Sequence, residues 1–99
     1  MFARSIQIYL GPNSNAPADE VADNIEKALR KQPNYISLSY FADYNSGNYI
    51  YMTNWQTEAS ASHALDGMMR EISLGIAGMA MFEPRINVYE ATTRVPAIA

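Results

Sequence analysis

The sequence predicts one α+β domain over residues 1–99, in which two helices cross one side of a four-stranded antiparallel sheet. Four segments alternate between apolar and polar side chains, and two others repeat apolar side chains every three or four residues. Glycine, proline or asparagine stands at most of the junctions between them. Ninety-nine residues lie near the commonest domain size, and a composition with 48% hydrophobic residues is typical of globular proteins.

The first strand and the first helix are predicted in the N-terminal third. Residues 2–10 alternate as a strand, and Gly11-Pro12 ends it. The helix is expected to begin after the N-cap Asn15 and to end before Pro33. Its inward stripe consists of the apolar residues that recur every four positions, namely Val21, Ile25 and Leu29.

A hairpin is predicted next, with strands over residues 35–42 and 48–55. The intervening turn DYNSGN offers Gly47 for a positive φ angle. Thr57 is expected to cap the second helix, which Gly75 and Gly78 are expected to end. The inward stripe of this helix is predicted to contain Ala61, Leu65, Met68 or Met69, and Ile72.

The last strand is predicted over residues 85–92, followed by a C-terminal arm. The resulting order, βαββαβ, is the ferredoxin-like layout.

Strand alternation then assigns side chains to two sheet faces. The face expected under the helices carries Ile6, Ile8, Leu10, Ile36, Leu38, Ile50, Met52, Ile86 and Val88. The other face is expected to carry Gln7, Tyr9, Ser37, Ser39, Phe41, Tyr49, Tyr51, Thr53, Trp55, Asn87 and Tyr89, with Arg4 near its end.

The second of these faces combines large rings with hydroxyl and amide groups. Monomers seldom leave such a large apolar patch in water, and burying each ring is favourable. A second copy of the sheet is therefore expected to cover this face and to enclose a cavity, in which the polar groups reach a guest. Two alternatives remain open: a dimer interface without a cavity, and a sheet that stacks RNA bases.

Charge and cysteine content exclude several classes of function. The net charge of −3 leaves no basic stripe for nucleic acid, so an RNA partner is disfavoured. The chain has no cysteine and one histidine, so thiol chemistry is excluded and no metal site is expected. No signal peptide and no membrane segment are expected, and the lack of cysteine fits a cytoplasmic protein.

The run from Lys31 to Leu65 resembles the antibiotic biosynthesis monooxygenase family, whose members are small dimeric α+β barrels. The similar features are the turn Gln32-Pro33-Asn34, two strands that end in Trp55, and a helix behind Thr57 that carries His63. The resemblance implies a homodimer with a pocket between each sheet and its own helices or the partner. Some relatives turn polycyclic phenols into quinones without metal or flavin, and others degrade haem.

The family's site residues are only partly present in this chain. Cofactor-independent relatives carry an asparagine four residues before the tryptophan, where this sequence has Tyr51. Asn54 neighbours Trp55 on the opposite strand face and is a poor replacement. The haem-degrading branch carries an asparagine on the first strand and a tryptophan and a histidine on the second helix. This chain has Gln7 and only His63 at those places, so haem is not expected.

The candidate catalytic residues are His63, Tyr51 and Trp55. His63 would act as a general base that draws a proton from a phenol or an activated carbon, after which the carbanion reacts with O₂. Each has a structural alternative: a solvated surface histidine, ring packing, and a core tryptophan. The candidate substrate-binding residues are Gln7, Tyr9, Ser39, Tyr49, Thr53, Asn87 and Tyr89.

The sequence thus favours a cofactor-independent monooxygenase that acts on a small planar aromatic or phenolic molecule, with O₂ as co-substrate. The alternative from another class is a homodimer that binds a small molecule, or is purely structural, without catalysis. A haem-degrading monooxygenase is a weaker alternative.

Overall fold

A computed structural model describes residues 1–76 and 84–90 of the chain. The elements are β1 (Phe2–Tyr9), α1 (Asn15–Leu29), β2 (Tyr35–Asp43), β3 (Asn48–Trp55), α2 (Glu58–Ile76) and β4 (Arg85–Glu90). The strands form one antiparallel sheet in the order β2-β3-β1-β4, and both helices pack on the same side of it. The predicted ferredoxin-like fold is confirmed. The glycine at position 78, the end of the predicted last strand and the predicted C-terminal arm lie outside the described residues.

Helix α1 begins one residue earlier than predicted, because Ser14 rather than Asn15 precedes its first turn. The Ser14 hydroxyl does not cap the helix; it donates a hydrogen bond of 2.7 Å to the Gly11 carbonyl. The predicted inward stripe is confirmed and is extended by small residues. The buried side chains of α1 are Ala18, Val21, Ala22, Ile25 and Leu29.

Helix α2 begins where the sequence predicts, because the Thr57 hydroxyl accepts a hydrogen bond of 3.2 Å from the Ser60 backbone N–H. Its buried residues are Ala61, Ala64, Met68, Ile72 and Ile76. Leu65, which was expected in this stripe, is half-buried at its border. No helix within residues 1–76 or 84–90 combines the length and the apolar character needed to cross a bilayer.

Gly75 lies within α2, whose described part reaches Ile76, and Gly78, the other glycine expected to end the helix, lies outside the described residues. The glycines of α2 instead allow α1 to approach. A Cβ atom on Gly67 would lie 2.9 Å from Leu29 Cδ2, and one on Gly75 would overlap Val21 Cγ2. The cost of glycine in a helix is therefore offset by close helix–helix packing.

Strand β3 faces the opposite way from the prediction. In its pairing with β1, Tyr51 lies opposite Ile6 and Tyr49 lies opposite Ile8. Directly opposed residues of antiparallel strands share a face. Tyr49, Tyr51, Thr53 and Trp55 therefore lie under the helices, and Ile50 and Met52 lie on the other side of the sheet.

Three smaller corrections concern the other strands. Arg4 lies on the helix-covered face, where its Nε donates a hydrogen bond of 3.3 Å to the Ala61 carbonyl and burial lowers its pKa. Ile36 is 44% exposed because the pairing of β2 with β3 is irregular beside it. Ile86 and Val88 are on the predicted side but stay partly exposed, since β4 is an edge strand.

The approach of α1 to α2 predicts the effect of Gly75→Ala. Overpacking costs about 1–3 kcal/mol, and alanine gains about 1 kcal/mol of helix propensity over glycine. Because Val21 is β-branched and buried, its side chain cannot rotate away from the added methyl group. Urea unfolding should show a net loss of about 1 kcal/mol for Gly75→Ala. The control Ser73→Ala, on the exposed side of α2, should lose nothing. A stabilised Gly75→Ala variant would contradict the packing.

Candidate functional site

The predicted site residues fall in three separate places. Four lie in the core on the helix-covered face, which we call the ring layer: Tyr49, Tyr51, Thr53 and Trp55. Five lie on the opposite side, which we call the open sheet face: Gln7, Tyr9, Ser39, Asn87 and Tyr89. His63 lies on the exposed side of α2. A cavity between two sheets therefore cannot contain the β3 residues of the ring layer, because their own helices cover them.

Two tyrosines of the ring layer are completely buried, and their hydroxyls are paired with α1 and with the residue that precedes it. The Tyr51 hydroxyl donates a hydrogen bond of 2.8 Å to the Ala18 carbonyl. The Tyr49 hydroxyl and Ser14 Oγ lie 2.8 Å apart in a hydrogen bond. Buried tyrosines generally need such partners for their polar ends. These contacts explain why tyrosines occupy positions where the sequence analysis expected aliphatic side chains.

Asp19 joins two further tyrosines to this layer. Its Oδ1 atom accepts hydrogen bonds from the Tyr40 hydroxyl at 2.9 Å and from the Tyr44 hydroxyl at 2.8 Å. Tyr40 stacks on Tyr51 with ring centroids 5.2 Å apart. This group was not predicted from the sequence. The pairing of Tyr40 with Tyr51 places its ring under the helices, and nothing local to the sequence shows that Asp19 meets it.

The tyrosines of this group remain protonated phenols. Burial raises the pKa of Tyr51, and burial together with the hydrogen bond to Asp19 raises the pKa of Tyr40. The hydrogen bond to Asp19 also raises the pKa of Tyr44. At neutral pH these side chains therefore donate hydrogen bonds and do not act as general bases.

Trp55 closes the other end of the ring layer. Its Nε1 donates a hydrogen bond of 2.9 Å to Thr53 Oγ1, and Thr53 Oγ1 donates one of 3.2 Å to Met68 Sδ. Tyr35 meets the indole edge-on, with ring centroids 5.3 Å apart. Trp55 is thus a core residue, which is the structural alternative that the sequence left open for it.

The open sheet face holds a depression of about 240 Å³ near the β2–β3 hairpin. Its lining combines one aromatic ring, apolar side chains, two amides and a carboxylate, contributed by Gln7, Phe41, Ala42, Asp43, Asn48 and Ile50. Of these, the prediction named Gln7 as substrate-binding. Placing Ile50 on the correct face of β3 would also have indicated Phe41, Asp43 and Asn48, because Phe41 pairs with Ile50, and Asp43 with Asn48.

The polar centre of the open sheet face is organised by Asn54. Its Nδ2 donates hydrogen bonds to Ser37 Oγ at 3.1 Å and to Ser39 Oγ at 3.3 Å. As predicted, Asn54 and Trp55 lie on opposite faces of β3. The amide of Asn54 is thus engaged with its neighbours on β2 and is separated by the sheet from the ring layer.

The described residues do not fit a haem or metal site. Within residues 1–76 and 84–90 no three His, Cys, Asp or Glu side chains lie together in a group able to hold a metal ion. The single histidine, His63, lies on the exposed side of α2, whereas the ring layer contributes tyrosine, threonine and tryptophan. The two tyrosine hydroxyls of the ring layer are already hydrogen-bonded to Ser14 and to the Ala18 carbonyl, so among the described residues this layer offers neither a histidine nor a free phenol to a haem iron.

Comparison with known proteins finds similarity of structure only. No protein-family model matches the sequence, and no curated protein matches it. An antibiotic biosynthesis monooxygenase of known structure is 14% identical, with a TM-score of 0.70 over 94% of this chain and 100% of that one. SnoaB, a cofactor-independent oxygenase from Streptomyces nogalater, is 12% identical, with a TM-score of 0.70 over 97% and 96%.

A third structure shows that the same fold accommodates a porphyrin. A mutant of MhuD, with two manganese protoporphyrin IX molecules bound per active site, is 11% identical. Its TM-score is 0.70, over 98% of this chain and 100% of that one. Likeness at such identities shows a shared fold. The predicted resemblance is confirmed at that level, and the chain has the fold of the antibiotic biosynthesis monooxygenases.

Proposed function

We propose that the chain is a monooxygenase that oxidises a small planar aromatic or phenolic molecule without a bound metal or flavin. The observation that carries the proposal is the depression on the open sheet face, where a ring, an aliphatic wall, amides and a carboxylate converge. The likeness to SnoaB supports it, because that protein is a cofactor-independent oxygenase with the same fold. The lack of cysteine fits a cytoplasmic location.

The lining of the depression suits a flat substrate. Phe41 and Ile50 offer ring-stacking and apolar contact, and the amides of Gln7 and Asn48 can bind a hydroxyl or carbonyl oxygen. Its volume of about 240 Å³ lies below the roughly 300–1,000 Å³ of pockets for drug-sized ligands. Because the depression is open on one side, a second wall is needed to enclose such a ligand.

Asp43 supplies the base in this proposal. It is the one lining residue with an ionisable side chain, and its Oδ1 accepts only a long hydrogen bond, 3.4 Å, from the Ser46 N–H among its described contacts. The earlier candidate His63 lies on α2, and Tyr51 and Trp55 are enclosed in the core. A carboxylate within reach of the bound phenol is better placed to take its proton than any of these three.

The reaction follows from the electron-rich anion that Asp43 would create. Loss of a proton from the phenol or from an activated CH₂ carbon gives an anion that transfers one electron to O₂. The two radicals combine into a carbon–oxygen bond, and the resulting peroxide anion takes the proton back from Asp43 to give a hydroperoxide. Its O–O bond then breaks as water leaves, so that the CH₂ group becomes C=O and O₂ ends as one product oxygen and one water.

A second copy of the chain is proposed to cover the open sheet face. Phe41 and Tyr89 on that face are 53% and 48% exposed, and Ile50 and Met52 lie between them only partly covered. The described central strands place no charged side chain there. Burying such a face in a homodimer is favourable, and the partner would close the depression against water.

One observation favours a candidate of another class. Of the three residues predicted as catalytic, Tyr51 and Trp55 are enclosed in the core and His63 lies on the exposed side of α2, so none of them lines the depression, which fits a homodimer that binds a small aromatic molecule there without converting it. Oxygen consumption separates this alternative from the monooxygenase.

The prediction for catalysis concerns oxygen uptake with a panel of quinols, naphthols and hydroxyanthrones. Asp43→Asn should lower the enzyme-dependent rate at least about 100-fold, because it removes the general base. Gln7→Leu should raise KM more than it lowers kcat. The matched control Asp66→Asn, on the exposed side of α2, should keep the wild-type rate.

Two outcomes would contradict the proposal. If His63→Ala abolishes uptake while Asp43→Asn does not, the base is assigned wrongly. If the wild-type protein binds panel members, as seen by fluorescence, but consumes no oxygen above the uncatalysed rate, the non-catalytic alternative holds.

A separate prediction concerns the assembly of two chains into a dimer. In sedimentation velocity at micromolar concentration, wild type should run at twice the chain mass of 11.0 kDa. Met52→Lys should dissociate it, because a lysine at the centre of the open sheet face would be buried without a partner. Leu74→Lys, which replaces a side chain that is 72% exposed on α2, should remain dimeric. A dimer unaffected by Met52→Lys would contradict the proposed interface.

A further inference from the structure

A chain of tyrosine rings in contact, edge-on at its outer end and stacked further in, runs from the surface into the core. Tyr44 lies in the β2–β3 turn with its ring centroid 6.0 Å from that of Tyr49. Tyr49 is stacked against Tyr40 at 6.3 Å, and Tyr40 is stacked on Tyr51 at 5.2 Å. Tyr44 is 48% exposed, Tyr40 is half-buried, and the other two are completely buried. The site proposed above uses none of these rings.

The outer members of the chain share one proton acceptor. Asp19 Oδ1 accepts hydrogen bonds from the hydroxyls of both Tyr40 and Tyr44, at 2.9 and 2.8 Å. The inner members bind weaker acceptors, since Tyr51 donates to a backbone carbonyl and Tyr49 pairs with a serine hydroxyl. Hydrogen bonds to an ionised carboxylate are roughly twice as strong as those between neutral groups.

This difference matters for the redox chemistry of phenols. Removing one electron from a tyrosine makes its hydroxyl proton strongly acidic, so oxidation is easiest where a base already holds that proton. Within the described residues the Asp19 carboxylate provides such a base to Tyr40 and Tyr44. Packing against Tyr49 and Tyr51 shields one side of the resulting radical from solvent.

We propose that Asp19, Tyr40 and Tyr44 form a redox site, which takes an oxidising equivalent from a one-electron oxidant at the surface and holds it as a neutral tyrosyl radical. The oxidants of this class include peroxyl radicals. The proposal does not depend on the monooxygenase activity or on Asp43.

The proposed step balances within the site. One electron leaves the Tyr44 or Tyr40 phenol for the oxidant, which is thereby reduced. The phenol O–H bond breaks, and the proton moves along the existing hydrogen bond to Asp19 Oδ1. A reductant such as ascorbate later returns one electron, and Asp19 returns the proton, which restores the starting state.

Flash photolysis with tris(bipyridine)ruthenium(II) and persulfate tests the site, because this mixture generates a one-electron oxidant in solution. Electron paramagnetic resonance of samples frozen after the flash should show a tyrosyl radical in the wild-type protein. Asp19→Asn should shorten the radical lifetime about tenfold, since a neutral amide cannot take the proton. The double variant Tyr40→Phe/Tyr44→Phe should lose the long-lived signal.

Two matched controls separate the redox role from structure and from exposure. Asp23→Asn changes an exposed carboxylate on the same helix, and Tyr35→Phe changes a tyrosine that is half-buried, as Tyr40 is, but packs on Trp55 instead of on the other tyrosines. Both should keep the wild-type radical, and circular dichroism should show that every variant is folded. Equal lifetimes in wild type and Asp19→Asn, or loss of the signal in Tyr35→Phe, would overturn the proposal.

Discussion

The register between β1 and β3 determines which side chains the helices cover. With Tyr51 opposite Ile6, the rings of β3 share a face with the aliphatic residues of β1, and both lie under α1 and α2. A shift by one residue would move every β3 side chain to the other face. The core, the ring layer and the composition of the open sheet face all depend on this one pairing.

The position of the helices follows from the same pairing. Tyr49 and Tyr51 carry hydroxyls into the core, and α1 satisfies both of them through Ser14 and the Ala18 carbonyl. Unpaired, each hydroxyl would cost about 1–3 kcal/mol. At the other helix, Thr53 links the Trp55 indole to Met68. Hydrogen bonds, which are directional, thus fix the positions of the two helices on the aromatic surface. Apolar packing alone would not fix those positions.

The sequence predicts the elements and the layout well, because each rests on local signals. The four-residue repeat of Val21, Ile25 and Leu29 and the cap at Thr57 indicate the helices, and both are present in the structure. The face of β3 could not be predicted in the same way. Both of its faces carry large apolar side chains, so hydrophobic contrast at the centre of the strand does not distinguish Ile50 from Tyr51. Only pairing partners that are distant in sequence decide between them.

The same limit explains the partial prediction of the candidate site. Gln7, Tyr9 and Ser39 lie on strands whose alternation is unambiguous, and the structure places all three on the expected face. Glycine commonly breaks helices, which is why Gly75 was expected to end α2. Its close contact with Val21 could not be predicted, because Val21 lies on another helix and is distant in sequence. Residues that meet through tertiary contacts, as Asp19 meets Tyr40, escape a sequence analysis for the same reason.

Acrylamide quenching of Trp55, the only tryptophan, tests most directly whether the chain's own helices cover the ring layer. We expect the indole to resist quenching to the same degree in the wild-type protein and in a dissociated monomer made by Met52→Lys, because its cover comes from α2 and Tyr35 of the same subunit. Quenching that rises on dissociation towards that of the urea-unfolded chain would show that a partner covers the rings, and would contradict the register between β1 and β3.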